Sequence, residues 1–252
     1  MASYFISGAS RGIGLGFCEA LAKRPASDVA IVFAGARTIT DALKELASSS
    51  NGRVEIVPMD VTKADDIKTA ALQVEKSLHG KGLDVLFNNA GVCNFMSQGI
   101  QHMDDLDSTL HVNVTSAHLV TRGLLPLLQK GNLKKVINIT STFGSIGMAR
   151  KFMQAPTPAY KISKAALNML TVQYALSFEE EGFTFVAVTP GWVKTDLGGQ
   201  YADLDVDISV KAVMEVVDRV TAADNGKFLD VHVPGWENNP GLNQYAGGEP
   251  EW

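Results

Sequence analysis

Cysteine is scarce in this chain: Cys18 and Cys93 are the only two in 252 residues. Two thiols make no disulfide framework, and neither belongs to a Cys/His cluster with metal-ligand spacing. They read as reduced thiols of a cytoplasmic protein, with no metal site expected. Basic runs are missing too, and the net charge is −5, so the electrostatic footprint of a nucleic-acid binder is lacking. No stretch of about 18 uncharged apolar residues occurs, which excludes a membrane-spanning helix. Met1 runs straight into Tyr4-Phe5-Ile6 without the basic and long apolar regions of a secretory leader. Internal repeats, low-complexity tracts and linkers are also lacking. The length suits one large domain with an ample core, and residues 1–252 are expected to form it.

What is present is a regular alternation of short β-rich runs with longer helix-like ones. Strands are expected at Ser3–Ser7, Val29–Ala34, Arg53–Val57, Leu83–Phe87, Lys135–Ile139, Phe183–Val188 and Lys227–Val233. Helices are expected at Gly12–Lys23, Thr40–Ser48, Lys63–Leu78, Leu106–Leu128, a stretch through Tyr160 to about Glu181, and Ser209–Thr221. Strands apolar on both faces and separated by helices call for a parallel sheet covered on both sides. The fold class is therefore α/β, a doubly wound Rossmann-type domain with about seven strands. The tail 234–252, rich in Gly, Pro and Asn with Trp236 and Tyr245, is expected to be irregular and to fold over the site or over a neighbouring subunit.

The first strand ends in Gly8-Ala-Ser10-Arg11-Gly12-Ile13-Gly14, directly before a helix. Glycines there allow a tight turn and let the backbone approach a pyrophosphate at the helix N-terminus, where free N–H groups favour an anion. A second chemical signature is Tyr160-Lys-Ile-Ser-Lys164. On a helix, positions i and i+4 share a face, so phenol and ammonium can share a pocket. An ammonium about 4 Å from a phenol would favour phenolate by up to ~4 kcal/mol at an effective dielectric near 20, about three pK units. That shift would make the tyrosine a usable general acid.

Further motifs stand in a fixed order: Asp60-Val61 after the third strand, Asn88-Asn-Ala90-Gly91 after the fourth and Asn113 in the next helix. Ser141 follows Asn138-Ile-Thr, and Pro190-Gly191 follows the sixth strand. With the Gly-x-x-x-Gly-x-Gly spacing and the Tyr/Lys pair, the chain resembles the classical short-chain dehydrogenase/reductase family over nearly its full length. Asp196 to Gly199, Ser209-Val210 and Gly226-Lys-Phe228 make it similar to the small NADPH-dependent carbonyl reductases of that family.

The resemblance implies that Tyr160 protonates a carbonyl oxygen and that Ser141 hydrogen-bonds the same oxygen. It further implies that Lys164 lowers the tyrosine pKa and holds the nicotinamide ribose, and that Asn113 positions a water relaying protons to the lysine. Gly8, Ser10, Arg11, Gly12, Ile13 and Gly14 would cradle the nucleotide, Asp60 and Val61 would meet the adenine, and Asn88, Ala90 and Gly91 would support it. Pro190, Gly191, Val193 and Thr195 would fix the carboxamide end. Asn88 could equally stabilise the sheet, Asn113 could be an ordinary buried helix amide, and Asp60 could be a helix cap.

An NAD site usually has a carboxylate ending the second strand, whereas a 2′-phosphate needs cations. Here that end reads Ala34-Gly-Ala-Arg37-Thr38, without a carboxylate before Asp41. Arg37 and Arg11, whose guanidinium forks fit phosphate, therefore predict NADP(H). The expected pocket loops hold Cys93, Phe95 and Met96; Phe143, Ile146, Met148, Phe152 and Met153; and Trp192, Leu197 and Tyr201. Such a lining suits a bulky, weakly polar ketone or aldehyde. The stretch from about Gly147 to Pro158 is an insertion beside this pocket, resembling those of the carbonyl reductases. The expected activity is NADPH-dependent carbonyl reduction. Its alternatives are an NADP(H)-binding redox sensor, against which the retained Tyr/Lys pair argues, and an NAD-dependent alcohol dehydrogenase working oxidatively. Ala165, Met169, Val172 and Leu176 along one helix face are either core or a surface for a homo-oligomer.

Overall fold

The computed structural model describes residues 1–252. Eight strands form one sheet in the order β3-β2-β1-β4-β5-β6-β7-β8. They are β1 (Ala2–Ser7), β2 (Val29–Ala36), β3 (Val54–Pro58), β4 (Val85–Asn88), β5 (Lys135–Ile139), β6 (Thr184–Thr189), β7 (Phe228–His232) and β8 (Ala246–Gly248). The first seven run parallel, and β8 pairs antiparallel with β7. This is a single α/β Rossmann-like domain. The helices are α1 (Gly12–Ala22), α2 (Asp41–Ser49), α3 (Ala64–Leu78), α4 (Leu106–Leu110), α5 (Ser116–Gln129), α6 (Pro158–Ser177) and α7 (Val206–Arg219). None is long and apolar enough to cross a membrane.

The period-2 alternation of the strands divides the core into two layers. Tyr4 and Ile6 of β1 join Phe17, Cys18 and Leu21 of α1 and Val213 and Val217 of α7 on one face. Phe5, between them in the sequence, joins Ile67 and Val74 of α3 and Leu124 and Leu128 of α5 on the other. The chain leaves β1 toward β2 and β3, then returns to the far side of β1 as β4. That reversal opens a crevice beyond the carboxyl ends of β1 and β4, where open α/β sheets bind their ligands.

Two elements differ from the sequence expectation. The long helix over 106–128 is broken by a π-helical turn at His111–Thr115. Asn113 accounts for it: its Nδ2 donates to Val92 O and Ser163 Oγ, both at 2.9 Å, and its Oδ1 accepts from Val92 N at 2.8 Å. Three side-chain bonds to elements outside the helix hold the wide turn that helical periodicity alone does not forecast. The tail is also more ordered than its composition implies, since β8 raises the strand count from about seven to eight. Smaller shifts extend β2 to Ala36 and start α7 at Val206. On α6, Met169 and Leu176 are exposed, so that face is not core within one chain.

Candidate active site

The crevice is a cavity of about 1330 Å³, well above the ~300–1,000 Å³ of a typical ligand site and roomy enough for two ligands side by side. One end is built from backbone. Gly8 (φ +70°) and Gly12 (φ +55°) adopt left-handed conformations that favour glycine. A Cβ on Gly8 would stand 2.8 Å from Ala90 Cα, and one on Gly14 would stand 2.3 Å from Gly8 O. The turn after β1 is thus pressed against the strand end of β4, as a switch-point crevice requires. Ser7 Oγ fastens the two, accepting from Asn89 N (3.0 Å) and Ala90 N (3.2 Å). Asn89 Nδ2 donates to Ser7 O (3.0 Å) and Gly8 O (3.2 Å).

The N-terminus of α1 opens into this end. Arg11 at the cap gives the first turn no side-chain hydrogen bond, and no acidic residue lies there. The free N–H groups and the helix dipole can hold a phosphate. Ser10, Ile13, Arg37, Asp60, Val61, Ala90 and Gly91 line the same end. Thr40 Oγ1, capping α2, donates to Ser10 O at 2.8 Å and so sets the loop carrying Arg37 against the glycine turn. Asp60 is not a helix cap: its Oδ1 accepts from Thr62 N (3.0 Å) and Thr62 Oγ1 (2.7 Å), and these bonds chiefly hold its carboxyl below the usual range. Arg37 adds a smaller electrostatic pull in the same direction. Arg11 Nε reaches Asp196 at 3.3 Å across the mouth, a solvent-exposed pair that contributes little and yields readily to a phosphate. The backbone cradle, the uncapped helix end and the two cations fit a phosphorylated dinucleotide.

The other end is built from side chains. Ser141 begins the 3₁₀ turn Thr142–Gly144, its Oγ accepting from Phe143 N at 3.1 Å. That turn packs so closely on α6 that a Cβ on Gly144 would meet Lys164 C at 2.6 Å. The Ser141 hydroxyl is thereby brought to Tyr160. Lys164 is buried, and its Nζ donates to Ile139 O at 2.8 Å. Burial pushes the ammonium down to about 8.

The lowering of the phenol pKa that the spacing suggested is not seen in the free chain. Nζ lies 5.5 Å from the centre of the Tyr160 ring, over its face. Burial raises the tyrosine pKa, Cys93 adds to the rise, and only the Ser141 hydroxyl pulls downward. In the free chain the tyrosine is a firmly protonated donor. Cys93 lines the cavity half-buried, and burial holds its thiol up at about 11 against the pull of Lys164, so it is not a reactive thiolate.

The insertion forms the outer wall. Phe152 is buried against Phe143, with ring centroids 4.9 Å apart, and Phe143 meets Tyr160 edge-on at 6.4 Å. Lys161 anchors it, donating to Phe152 O (2.7 Å) and Ala155 O (2.8 Å). Phe95, Met148, Trp192 and Leu197 complete the apolar lining, with Pro190, Gly191, Val193 and Thr195 along the loop after β6.

Several expected residues lie elsewhere. Asn88 is buried in the sheet, where Nδ2 donates to Thr121 Oγ1 (2.9 Å) and Asn138 Oδ1 (2.8 Å), and it does not face the cavity. Neighbours on a strand point to opposite faces, so it is Asn89 that holds the glycine turn. Asn113 is buried behind Gly91 rather than on the wall, its side chain consumed by Val92 and Ser163. Met153, Tyr201 and Ile146 are largely exposed and outside the cavity, and the half-buried Met96 is outside it too. Sequence reasoning did not name Asp230 or Gln244, which line the cavity, while Tyr245 of the tail lines it as a tail folded over the site would.

Fold and crevice together define a dinucleotide-type oxidoreductase. The family model for short chain dehydrogenase matches residues 3–204, and the chain belongs to that family. It is 35% identical over 210 residues to a short-chain dehydrogenase/reductase, atnB, of Arthrinium sp, covering 78% of this chain and 76% of that one. Among solved structures it is similar to an NADPH-bound carbonyl reductase from chicken fatty liver (35% identity, TM-score 0.83, 90% and 95% of the two chains). It is also similar to the carbonyl reductase Sniffer of D. melanogaster (28% identity, TM-score 0.84, 100% of both chains). The chain thus stands close to the carbonyl reductases within its family.

Proposed function

We propose that this protein is an NADPH-dependent reductase of bulky, apolar or aromatic ketones or aldehydes. The observation that carries the reading is the juxtaposition, in one cavity, of a side-chain-free phosphate cradle with Ser141, Tyr160 and Lys164. When bound, NADPH would supply the hydride for the carbonyl carbon. The glycine turn and the N-terminus of α1 would hold its phosphates, Arg37 and Arg11 its 2′-phosphate, Asp60 and Val61 its adenine, and Gly191, Val193 and Thr195 its carboxamide end.

The chain's own groups manage the oxygen. Ser141 Oγ donates a hydrogen bond to it as negative charge develops, where a fixed donor is most effective. Tyr160 gives its phenolic proton to the same oxygen, completing the alcohol. Lys164, charged below about pH 8, stabilises the phenolate left behind and reaches the nicotinamide ribose. Asn113 shapes the backbone beside Lys164 through which a proton-relaying water is held. Phe143, Phe152 and Trp192 exclude bulk water and favour an apolar substrate. Supporting the cofactor choice, β2 ends at Ala36-Arg37 with no carboxylate, and the chicken carbonyl reductase carries NADPH. The exposed Met169 and Leu176 of α6 support a homo-oligomer.

NADPH oxidation across a panel of aromatic ketones, quinones and aldehydes tests this. Turnover is expected on several; binding of NADPH with turnover of none would favour a redox sensor instead. Arg37→Ala should raise the KM for NADPH about tenfold and leave that for NADH nearly unchanged. Equal effects would overturn the cofactor assignment.

A further inference from the structure

The loop between β6 and α7 approaches the carboxamide end of the cofactor site and is held both from within and from outside. Its ends are tied by a short bridge between Val193 and Leu204, with Leu204 N donating to Trp192 O at 3.0 Å and Lys194 N to Leu204 O at 2.9 Å. Inside it, Trp192 Nε1 donates to Gly198 O at 2.8 Å, Gly198 N to Thr195 Oγ1 at 3.1 Å and Lys194 Nζ to Asp205 Oδ1 at 2.9 Å, and a further hold comes from the far end of the chain. Tyr245 is buried, and its hydroxyl accepts from Trp192 N at 3.0 Å while donating to Asp203 Oδ2 at 2.5 Å. One oxygen thus joins both limbs of the loop. Asn243 Nδ2, two residues earlier, donates to the same Asp203 oxygen at 2.7 Å.

The tyrosine is itself over-determined. Its backbone has φ +44°, a conformation uncommon for a bulky residue and maintained only where surroundings impose it. Its carbonyl accepts from Val233 N at 2.9 Å, and Trp236 packs on its ring with centroids 5.2 Å apart. The ring lies against Gly191 (φ +82°), where a Cβ would stand 3.1 Å from Tyr245 Cε1. The adjacent Gln244 accepts from Lys151 Nζ of the insertion at 3.1 Å, so consecutive tail residues touch the two walls of the cavity.

We propose that Tyr245, acting with Asp203, is a positioning residue that fixes the β6–α7 loop for the nicotinamide half of the cofactor. The inference rests on the nucleotide-binding reading above. Burial and the Asp203 carboxylate both raise the Tyr245 pKa, so it remains a protonated donor and the clamp persists through the physiological range. Toward the adenosine end the loop reaches only through the exposed Asp196–Arg11 pair and Thr195 beside Gly12, whereas the Tyr245 hydroxyl bonds Trp192 and Asp203 instead.

The test uses the full chain carrying Tyr245→Phe, which keeps the ring against Gly191 and removes only the shared hydroxyl. NADPH affinity, read by fluorescence titration, should fall about tenfold, the equivalent of one lost hydrogen bond on a loop set free. Binding of adenosine 2′,5′-bisphosphate, which occupies only the adenosine half, should not change. The KM for NADPH should rise in step while kcat falls by no more than about threefold. Asp203→Ala should give the same selective loss, and the double variant should be no worse than either single one, as for two partners in one interaction. Equal weakening of both ligands, or a lower melting temperature with unchanged NADPH affinity, would reduce Tyr245 to a structural residue and overturn the proposal. Should Tyr245→Phe fail to fold, Asp203→Ala carries the same comparison. Failure of the unaltered protein to bind NADPH would instead overturn the nucleotide reading itself.

Discussion

The two ends of the cavity are made by different means. At the phosphate end the wall is main chain: Gly8, Gly12 and Gly14 within seven residues, the first turn of α1, and Ala90 close enough to exclude any side chain from Gly8. At the carbonyl end the wall is side chain, drawn from Ser141, Phe143, Phe152, Tyr160, Lys164 and Trp192 and held by bonds between segments far apart in the chain. A backbone cradle depends on local conformation and tolerates almost no substitution. A side-chain wall depends on packing and can be varied position by position, so substrate preference can change while the cradle stays the same.

The largest effect should come from Tyr160→Phe. Loss of the phenolic proton should lower kcat by about a thousandfold, within the usual range for a general acid, while NADPH binding stays within about twofold. A variant that lost both would show that the two ends are not separable. Substantial residual turnover would mean that another group protonates the carbonyl.

Lys164 sharpens the contrast through stability. Its pKa is about 8 in the folded chain against 10.5 ordinarily, so the folded state binds fewer protons than the unfolded between those values. Stability therefore rises with pH across that window, and below about pH 8 the buried ammonium costs roughly 3 kcal/mol. Lys164→Met should cut activity at least a hundredfold yet raise the melting temperature at pH 7 by roughly 5 °C, after allowing about 1 kcal/mol for the lost bond to Ile139 O. In the unaltered protein, kcat/KM for reduction should decline as pH rises through about 8. A melting temperature that fell would show the ammonium to be well solvated by the site.

The smallest effects separate neighbours in the insertion. Phe152→Ala should destabilise by about 3 kcal/mol and raise the KM for an aromatic ketone, because the ring is buried against Phe143. Met153→Ser, one residue on but exposed, should change stability by less than about 0.5 kcal/mol and leave the KM unaltered. Matching effects would mean that the insertion moves as a unit.

How much of this was legible beforehand follows the same division. The glycine turn could be read from residues alone, because a tight turn between strand and helix is a local requirement met by consecutive residues. The Tyr/Lys spacing likewise placed both groups on one helix face. The electrostatics of that pair could not be read, since whether the ammonium meets the hydroxyl or the ring face depends on how α6 packs on β5. Asn88 and Asn89 show the limit well: composition marks both, and only the pleat of β4 decides which one faces the cavity. Met153 and Phe152 pose the same problem in a segment with no periodicity to orient either side chain.

The sequence by itself determined the alternation of strands and helices, hence a parallel sheet with two apolar faces, and the local chemistry of the phosphate turn. Those are properties of short windows, set by backbone sterics and by the repeat of apolar residues. Tertiary structure alone decided that residues 234–252 return as β8, that Tyr245 reaches back to Trp192 and Asp203, and that Asn113 widens a helix into a π turn. Each depends on polar groups distant in sequence finding partners once the core has closed. A buried hydroxyl or amide must be hydrogen-bonded, but the chain order does not say by whom.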